Sequence, residues 1–172
     1  MKRVLSLGAG VQSTTVALMI KHGEIEMVDA AIFADTQAEP AEVYTHLAWL
    51  QQQDLGFPII VATHGDLDAD TRQVRDSART PGNRYMRNLI PLFLTDNTTG
   101  KKGMLTRKCT VEYKIRVIER ETKKLCGFYG KRAPTAPVVT TLVGISQDEA
   151  GRARASASTR GRSSNTRYWR AT

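Results

Sequence analysis

The chain has 172 residues, 41% of them hydrophobic and 24% charged, enough for one α/β domain with a proper core. No apolar run is long enough to span a membrane and no signal peptide stands at the amino terminus, so neither a membrane protein nor a secreted one is expected. Two cysteines, Cys109 and Cys126, with no Cys-x-x-Cys pair, indicate neither a disulfide framework nor a zinc site, and a reducing cytoplasmic setting is the expectation. The net charge of +8 is concentrated: residues 151–172 carry six arginines and no acid, which leaves +2 for the rest and predicts a basic tail rather than a basic domain.

Lys2–Leu7 is a short apolar run with β character, followed at once by Ser6-Leu-Gly-Ala-Gly-Val-Gln-Ser-Thr14. A helical pattern then begins, with Val16, Met19 and Ile20 on one face and Gly23 as its stop. A strand, a glycine-rich turn and a helix N-terminus form an anion site, because backbone N–H groups approach a phosphate, the helix dipole adds attraction, and Ser13 and Thr14 add hydroxyl donors. Three ligand readings compete with a tight turn that holds nothing. A Walker A loop requires Gly-Lys-Ser/Thr, and Gln12 before Ser13 excludes it. The dinucleotide fingerprint matches at Gly8 and Gly10 but has Ser13 in place of the third glycine, with Asp35 near the distance expected of the ribose-binding acid. The third is the PP-loop, Ser-Gly-Gly-x-Asp-Ser, which Gly8-Ala-Gly-Val-Gln-Ser13 resembles, with Ala9 and Gln12 as departures.

Further along, residues 28–34 predict a second buried strand ending in Asp35-Thr-Gln-Ala-Glu39, a cluster that either contacts a ligand or caps the next helix. Pro40 suits a first helical turn, with Val43, Leu47 and Leu50 at helical spacing. Residues 57–62 predict a third strand. This alternation implies a parallel sheet with helices on both faces and ligands at the carboxyl ends of the strands, where 8–12 and 35–39 both fall. Residues 66–79 read as a polar helix capped by Asp66 or Asp68, and 80–107 as a segment that covers substrate. A helix is predicted over 109–126, with an apolar stripe of Val111, Ile115, Ile118 and Leu125 and with Gly127 ending it. Arg107 and Lys108 before its start, with Lys114 a turn in, form either a phosphate clamp or a solvated basic face. Cys109 is either a reactive thiol at a helix N-terminus, a weak catalytic candidate, or a structural cysteine, the last being favoured because no histidine is close in sequence. Residues 138–145 predict a fourth buried strand, from which Gly144-Ile-Ser-Gln-Asp-Glu-Ala-Gly-Arg152 emerges at the ligand edge. Residues 153–172 hold no Leu, Ile, Val, Met or Phe, which predicts a domain over 1–152 and a basic, disordered tail.

Taken together in order and spacing, Ser6–Thr14, Asp35–Glu39, Arg107–Lys114 and Gly144–Arg152 resemble the phosphoadenosine phosphosulfate (PAPS) reductase-like branch of the PP-loop superfamily, particularly its phage-type members. That resemblance implies a Rossmann-like three-layer sandwich with a mainly parallel sheet, the adenine nucleotide α-hydrolase fold. It also implies an adenine nucleotide, ATP or PAPS, with Mg²⁺ where ATP is the ligand. Ser6, Gly8, Ala9, Gly10, Val11, Gln12, Ser13 and Thr14 would hold phosphates, and Phe33, Ala34, Asp35 and Thr36 would lie by the adenine. Arg107, Lys108, Lys114, Gly144 and Arg152 would meet the phosphate or sulfate end. The implied chemistry is either adenylation with cleavage between the α- and β-phosphates of ATP, or attack of a cysteine thiolate on a sulfonyl group. The segment Cys109-Thr-Val-Glu-Tyr-Lys-Ile-Arg-Val117 looks like the relatives' Cys-Thr-x-x-Tyr-Lys-Ile-x-Pro, with Val117 at the proline. No tandem cysteines support an iron–sulfur cluster. The reductases' cysteine-bearing final segment is missing, so the tail reads as a truncated or frame-shifted end. Two other classes stay open: a non-catalytic module that binds nucleic acid through the tail, and an NAD(P)-type domain.

Overall fold

The computed structural model describes residues 1–104, 108–132, 134 and 136–146, together with the backbone of 164–171. Strands β1 (Lys2–Leu7), β2 (Ala30–Asp35) and β3 (Ile59–Thr63) alternate with helices α1 (Val11–Lys21) and α2 (Ala41–Gln51). A short α3 (Leu67–Arg72) follows, then two small hairpins, β4 (Val74–Asp76) with β5 (Arg84–Met86), and β6 (Phe93–Thr95) with β7 (Lys102–Met104). A π-helical segment, Thr110–Ile115, runs into α4 (Arg116–Leu125), and β8 (Val139–Ser146) and β9 (Ser164–Ala171) complete the described elements.

The main sheet has the order β3-β2-β1-β8-β9, and every neighbouring pair is parallel. β1 is central, with Val4 opposite both Ala30 and Thr141. Side chains alternate across the sheet as the two-residue period of a strand requires. Leu5, Leu7, Ala31, Phe33 and Leu142 pack on one face with Val16, Ala17 and Ile20 of α1 and Leu47 and Leu50 of α2. Val4, Ile32 and Val139 pack on the other face with Ile118 and Leu125 of α4. Helices therefore cover both faces, and the adjacent apolar residues Val4 and Leu5 of β1 and Ala30–Ala34 of β2 follow from double-sided burial.

Most boundaries agree with the sequence reading to within one or two residues, and three regions differ. Residues 66–79 do not form one helix. Asp66 does cap α3, its Oδ1 accepting the Ala69 N–H at 2.9 Å, but the chain turns extended at Gln73. Val74–Asp76 then pairs antiparallel with Arg84–Met86 across the Pro81-Gly82 turn, where Gly82 has φ +82°. The partner strand lies beyond residue 79, so the polar composition of 66–79 by itself could not reveal the pairing. The helix expected from Cys109 opens with a π-helical turn, which shifts the phase of the helix relative to an α-helix. As a result Tyr113 is fully buried, whereas Val111 and Ile115, expected in the apolar stripe, are 46% and 40% exposed. The third difference is that Ser164–Ala171, inside the expected disordered tail, is strand β9. Backbone pairing along a sheet edge needs no apolar side chains, which were the basis of that expectation.

Candidate functional site

The turn after β1 is held by its own hydroxyl. Ser13 Oγ accepts the Gly8 N–H at 3.2 Å and donates to the Gly10 carbonyl at 3.2 Å. Gly10 precedes α1 in extended conformation, no side chain caps this helix start, and no acid lies in its first turn. A helix N-terminus of this kind favours an anion. Ala9 adopts φ +51°, in the left-handed region where a Cβ is disfavoured, so this residue stands at a position suited to glycine. Val11 is 82% exposed, while Ser13 and Thr14 are buried. Ser6, in β1, pairs in register with Ile32 and Val143.

Gly144 of β8 fixes the other wall. A Cβ there would stand 2.7 Å from both the carbonyl carbon and oxygen of Gln12 and 2.9 Å from the Ser13 nitrogen, all of them backbone atoms. Only glycine lets β8 approach the loop this closely. Among the residues expected at the phosphate end, Gly144 thus has a clear structural role in the loop itself.

At the end of β2 the polar groups satisfy one another. Asp35 Oδ1 accepts the Gln37 N–H at 2.8 Å and the Tyr44 hydroxyl at 2.8 Å. Burial, followed by this bond to Asp35, raises the Tyr44 pKa above its ordinary value. The Thr36 hydroxyl, buried, donates to Glu39 Oε1 at 3.0 Å, and the same Glu39 oxygen pairs with Lys114 Nζ at 2.9 Å. The cluster is therefore tied to itself, to Tyr44 and to Lys114, and no side chain caps the start of α2. Phe33, expected beside an adenine, is 2% exposed and packs in the core between the sheet and α1 and α2; Ala34 is buried as well. Strand alternation directs Phe33 inward, to the same face as Leu5, and its ring is taken up by the core.

The basic residues are only partly brought together. Lys108 is exposed, and its N–H, like that of Cys109, donates to the Leu89 carbonyl, at 3.2 and 2.9 Å. Lys114 is neutralised by Glu39. Arg107 and Arg152 lie outside the described residues, as do Asp148 and Glu149. Cys109 is half-buried just before the π-helical turn, its Sγ 3.9 Å from Thr110 Oγ1.

Two contacts have no counterpart in the sequence reading. His46 of α2 places Nε2 2.9 Å from Thr14 Oγ1 and stacks on Trp49, the ring centroids 5.3 Å apart. It joins helices 32 positions apart in sequence and leaves no local signal. Tyr113 donates its hydroxyl to Asp70, which also pairs with Arg75 at 3.2 Å, and its ring meets His64 edge-on with centroids 4.8 Å apart. Burial, followed by the bond to Asp70, pushes the Tyr113 phenol up to about 12. Beside it Arg87 pairs with Glu112. The tyrosine was visible in the motif around Cys109; its inward direction was not, because the π-helical phase decides it.

Among the described residues, no cluster of three or more His, Cys, Asp or Glu side chains could hold a metal ion, and no helix is long and apolar enough to cross a membrane. Both cysteines are free. A shallow depression between Lys2, Asp29, Leu125 and Cys126 opens at the opposite, amino-terminal end of the sheet, away from the loop. Burial there raises the Cys126 thiol above its ordinary value, which disfavours the reactive thiolate. No family model, curated protein or solved structure matches this chain.

Proposed function

We propose that this protein binds an adenine nucleotide through Gly8–Thr14, in the manner of the PAPS reductase-like PP-loop proteins it resembles, and acts at a sulfonucleotide or at the α-phosphate of ATP. One observation carries the reading: a two-glycine loop at the carboxyl end of the central strand, opening into an uncapped helix start and pressed against Gly144. Backbone N–H groups in such a turn suit phosphate oxygens, and Thr14, positioned by His46, adds a hydroxyl. A strand order of β3-β2-β1-β8 with helices on both faces also suits the Rossmann-like arrangement. With Gln12 in place of an aspartate and Asp35 and Glu39 already engaged, Mg²⁺ would arrive on the nucleotide phosphates rather than sit in a protein cage.

Asp35 at the end of β2 favours a second reading, a dinucleotide such as NAD(P)H with its ribose on that carboxylate. Thermal-shift titrations with ATP and Mg²⁺, with PAPS and with NAD(P)H separate the two. A saturable rise with ATP or PAPS is expected, and the stronger ligand indicates which chemistry the site is built for. A rise with NAD(P)H alone selects the second reading, and no rise with any of them removes both. Ser13→Ala should weaken nucleotide binding by about 1–2 kcal/mol, since it unpins Gly8 as well as losing a hydroxyl. Unchanged affinity in isothermal titration would remove the loop from the site.

A further inference from the structure

Residues 74–104 form an arm that the sheet does not cover. Of these 31 residues only Leu89 is buried. It is the anchor, its carbonyl accepting the N–H groups of Lys108 and Cys109. On either side of it stand two hairpins with three-residue strands, which bury little by themselves and are marginal in water without something packed on them. Large side chains face solvent along both: Phe93 is 80% exposed and Tyr85 48%.

The charge on the arm narrows what could cover it. It carries six cations, Arg75, Arg79, Arg84, Arg87, Lys101 and Lys102, against two acids, Asp76 and Asp96. The whole of residues 1–73 carries ten acids against four cations, so basicity is not confined to the end of the chain. Arg75 and Arg87 are held by Asp70 and Glu112, whereas no ion pair among the described residues engages Arg79, Lys101 or Lys102. Register sets a cation near each ring, Lys102 outside any ion pair among the described residues and Arg75 held by Asp70. Phe93 stands opposite Met104, and the next pair on the same face is Thr95 with Lys102; Tyr85 stands opposite Arg75. Protein interfaces are depleted of lysine at their centres. Exposed aromatic rings on a surface that also carries unpaired cations instead suit a strand of stacked bases joined by phosphates.

We infer that the arm 74–104 is a docking surface for single-stranded nucleic acid, with Phe93 and Tyr85 as stacking platforms and Arg79, Lys101 and Lys102 meeting phosphates. With strands of only three residues, the hairpins offer isolated rings to splayed bases rather than a long ribbon to a duplex groove. This surface uses no residue of Gly8–Thr14 and is tested without adenine nucleotide, so either reading can fail alone.

The test is fluorescence anisotropy with a labelled single strand of about 12 nucleotides, within the usual site size for such surfaces, titrated with the full chain at several salt concentrations. Saturable binding that weakens with salt is expected. Phe93→Ala should weaken it at least about fivefold without changing the salt slope, the effect of one lost stacking contact. Lys101→Gln with Lys102→Gln should reduce the slope by about 1.4, two phosphate contacts on a single strand. All three substitutions are at exposed positions, so circular dichroism should show the fold unchanged. Absence of binding at low salt would overturn the proposal. So would equal affinity in every variant, which would put the contact on the arginines of 151–172, or a dimer in sedimentation that Phe93→Ala dissolves, which would put a second copy on the arm.

Discussion

The sheet and the arm are built from the same kinds of residue and use them in opposite ways. In β2, Ala30–Ala34 are all buried, whereas in β6 Phe93–Thr95 are all exposed. The difference is one of neighbours. Each residue of β2 has a strand on either side and helices above and below, while among the described residues β6 pairs with β7 alone. An apolar side chain contributes to stability only where other atoms remove it from water. Stability should therefore reside in the sheet, and the arm should be free to serve recognition.

Cavity formation in the sheet gives the largest expected effect. Leu5, fully buried on the α1 and α2 face, should cost about 2–5 kcal/mol as Leu5→Ala in urea unfolding monitored by circular dichroism. A cost near zero would mean that the core is not where the packing places it. Next comes Gly144→Ala, which forces a Cβ against the Gln12 and Ser13 backbone and should destabilise by about 1–3 kcal/mol while displacing the loop. Measured beside nucleotide titration, it should lower both stability and affinity; a fully stable, fully binding variant would contradict the close approach of β8.

Tyr113→Phe should be milder, about 1 kcal/mol at neutral pH, for the lost bond to Asp70. Its pH signature is more specific. The folded phenol titrates at about 12, above the ordinary value of 10.0, so the unfolded chain releases its proton first as pH rises. Wild-type stability should fall between pH 10 and 12, and Tyr113→Phe should lack that part of the decline. Identical alkaline profiles would show that the phenol is not held neutral by its site. The smallest effect belongs to the arm: Phe93→Ala should change stability by less than about 0.5 kcal/mol, since the ring is 80% exposed. A loss comparable to that of Leu5→Ala would mean that the arm is part of the core, and would end the contrast between the two regions.

Much of the sheet and the loop could be read directly because their signals are local. The apolar run of β1, the two glycines after it, the hydroxyls of Ser13 and Thr14 and the Gly23 stop, with φ +79°, all lie within one stretch of chain. The four main strands follow from runs of residues that suit burial on both sides. Asp66 as a helix cap is equally local, since an N-cap acts on an N–H three positions away.

What the tertiary structure decided involves partners far apart in the chain or a phase that local spacing does not fix. Gly144 was expected at a phosphate, and its closest constraint is the loop backbone more than a hundred residues earlier. Lys114 read as a free cation until Glu39 was seen to neutralise it, and Phe33 read as a ligand contact until the sheet's alternation turned it into the core. One π-helical turn exchanged Val111 and Ile115 for Tyr113 at the buried surface. Hydrophobic period and glycine placement are properties of a segment alone, so the sequence determined the strands and the loop. Neutralisation, helix phase and close approach depend on what a segment meets, and only the folded chain supplies that.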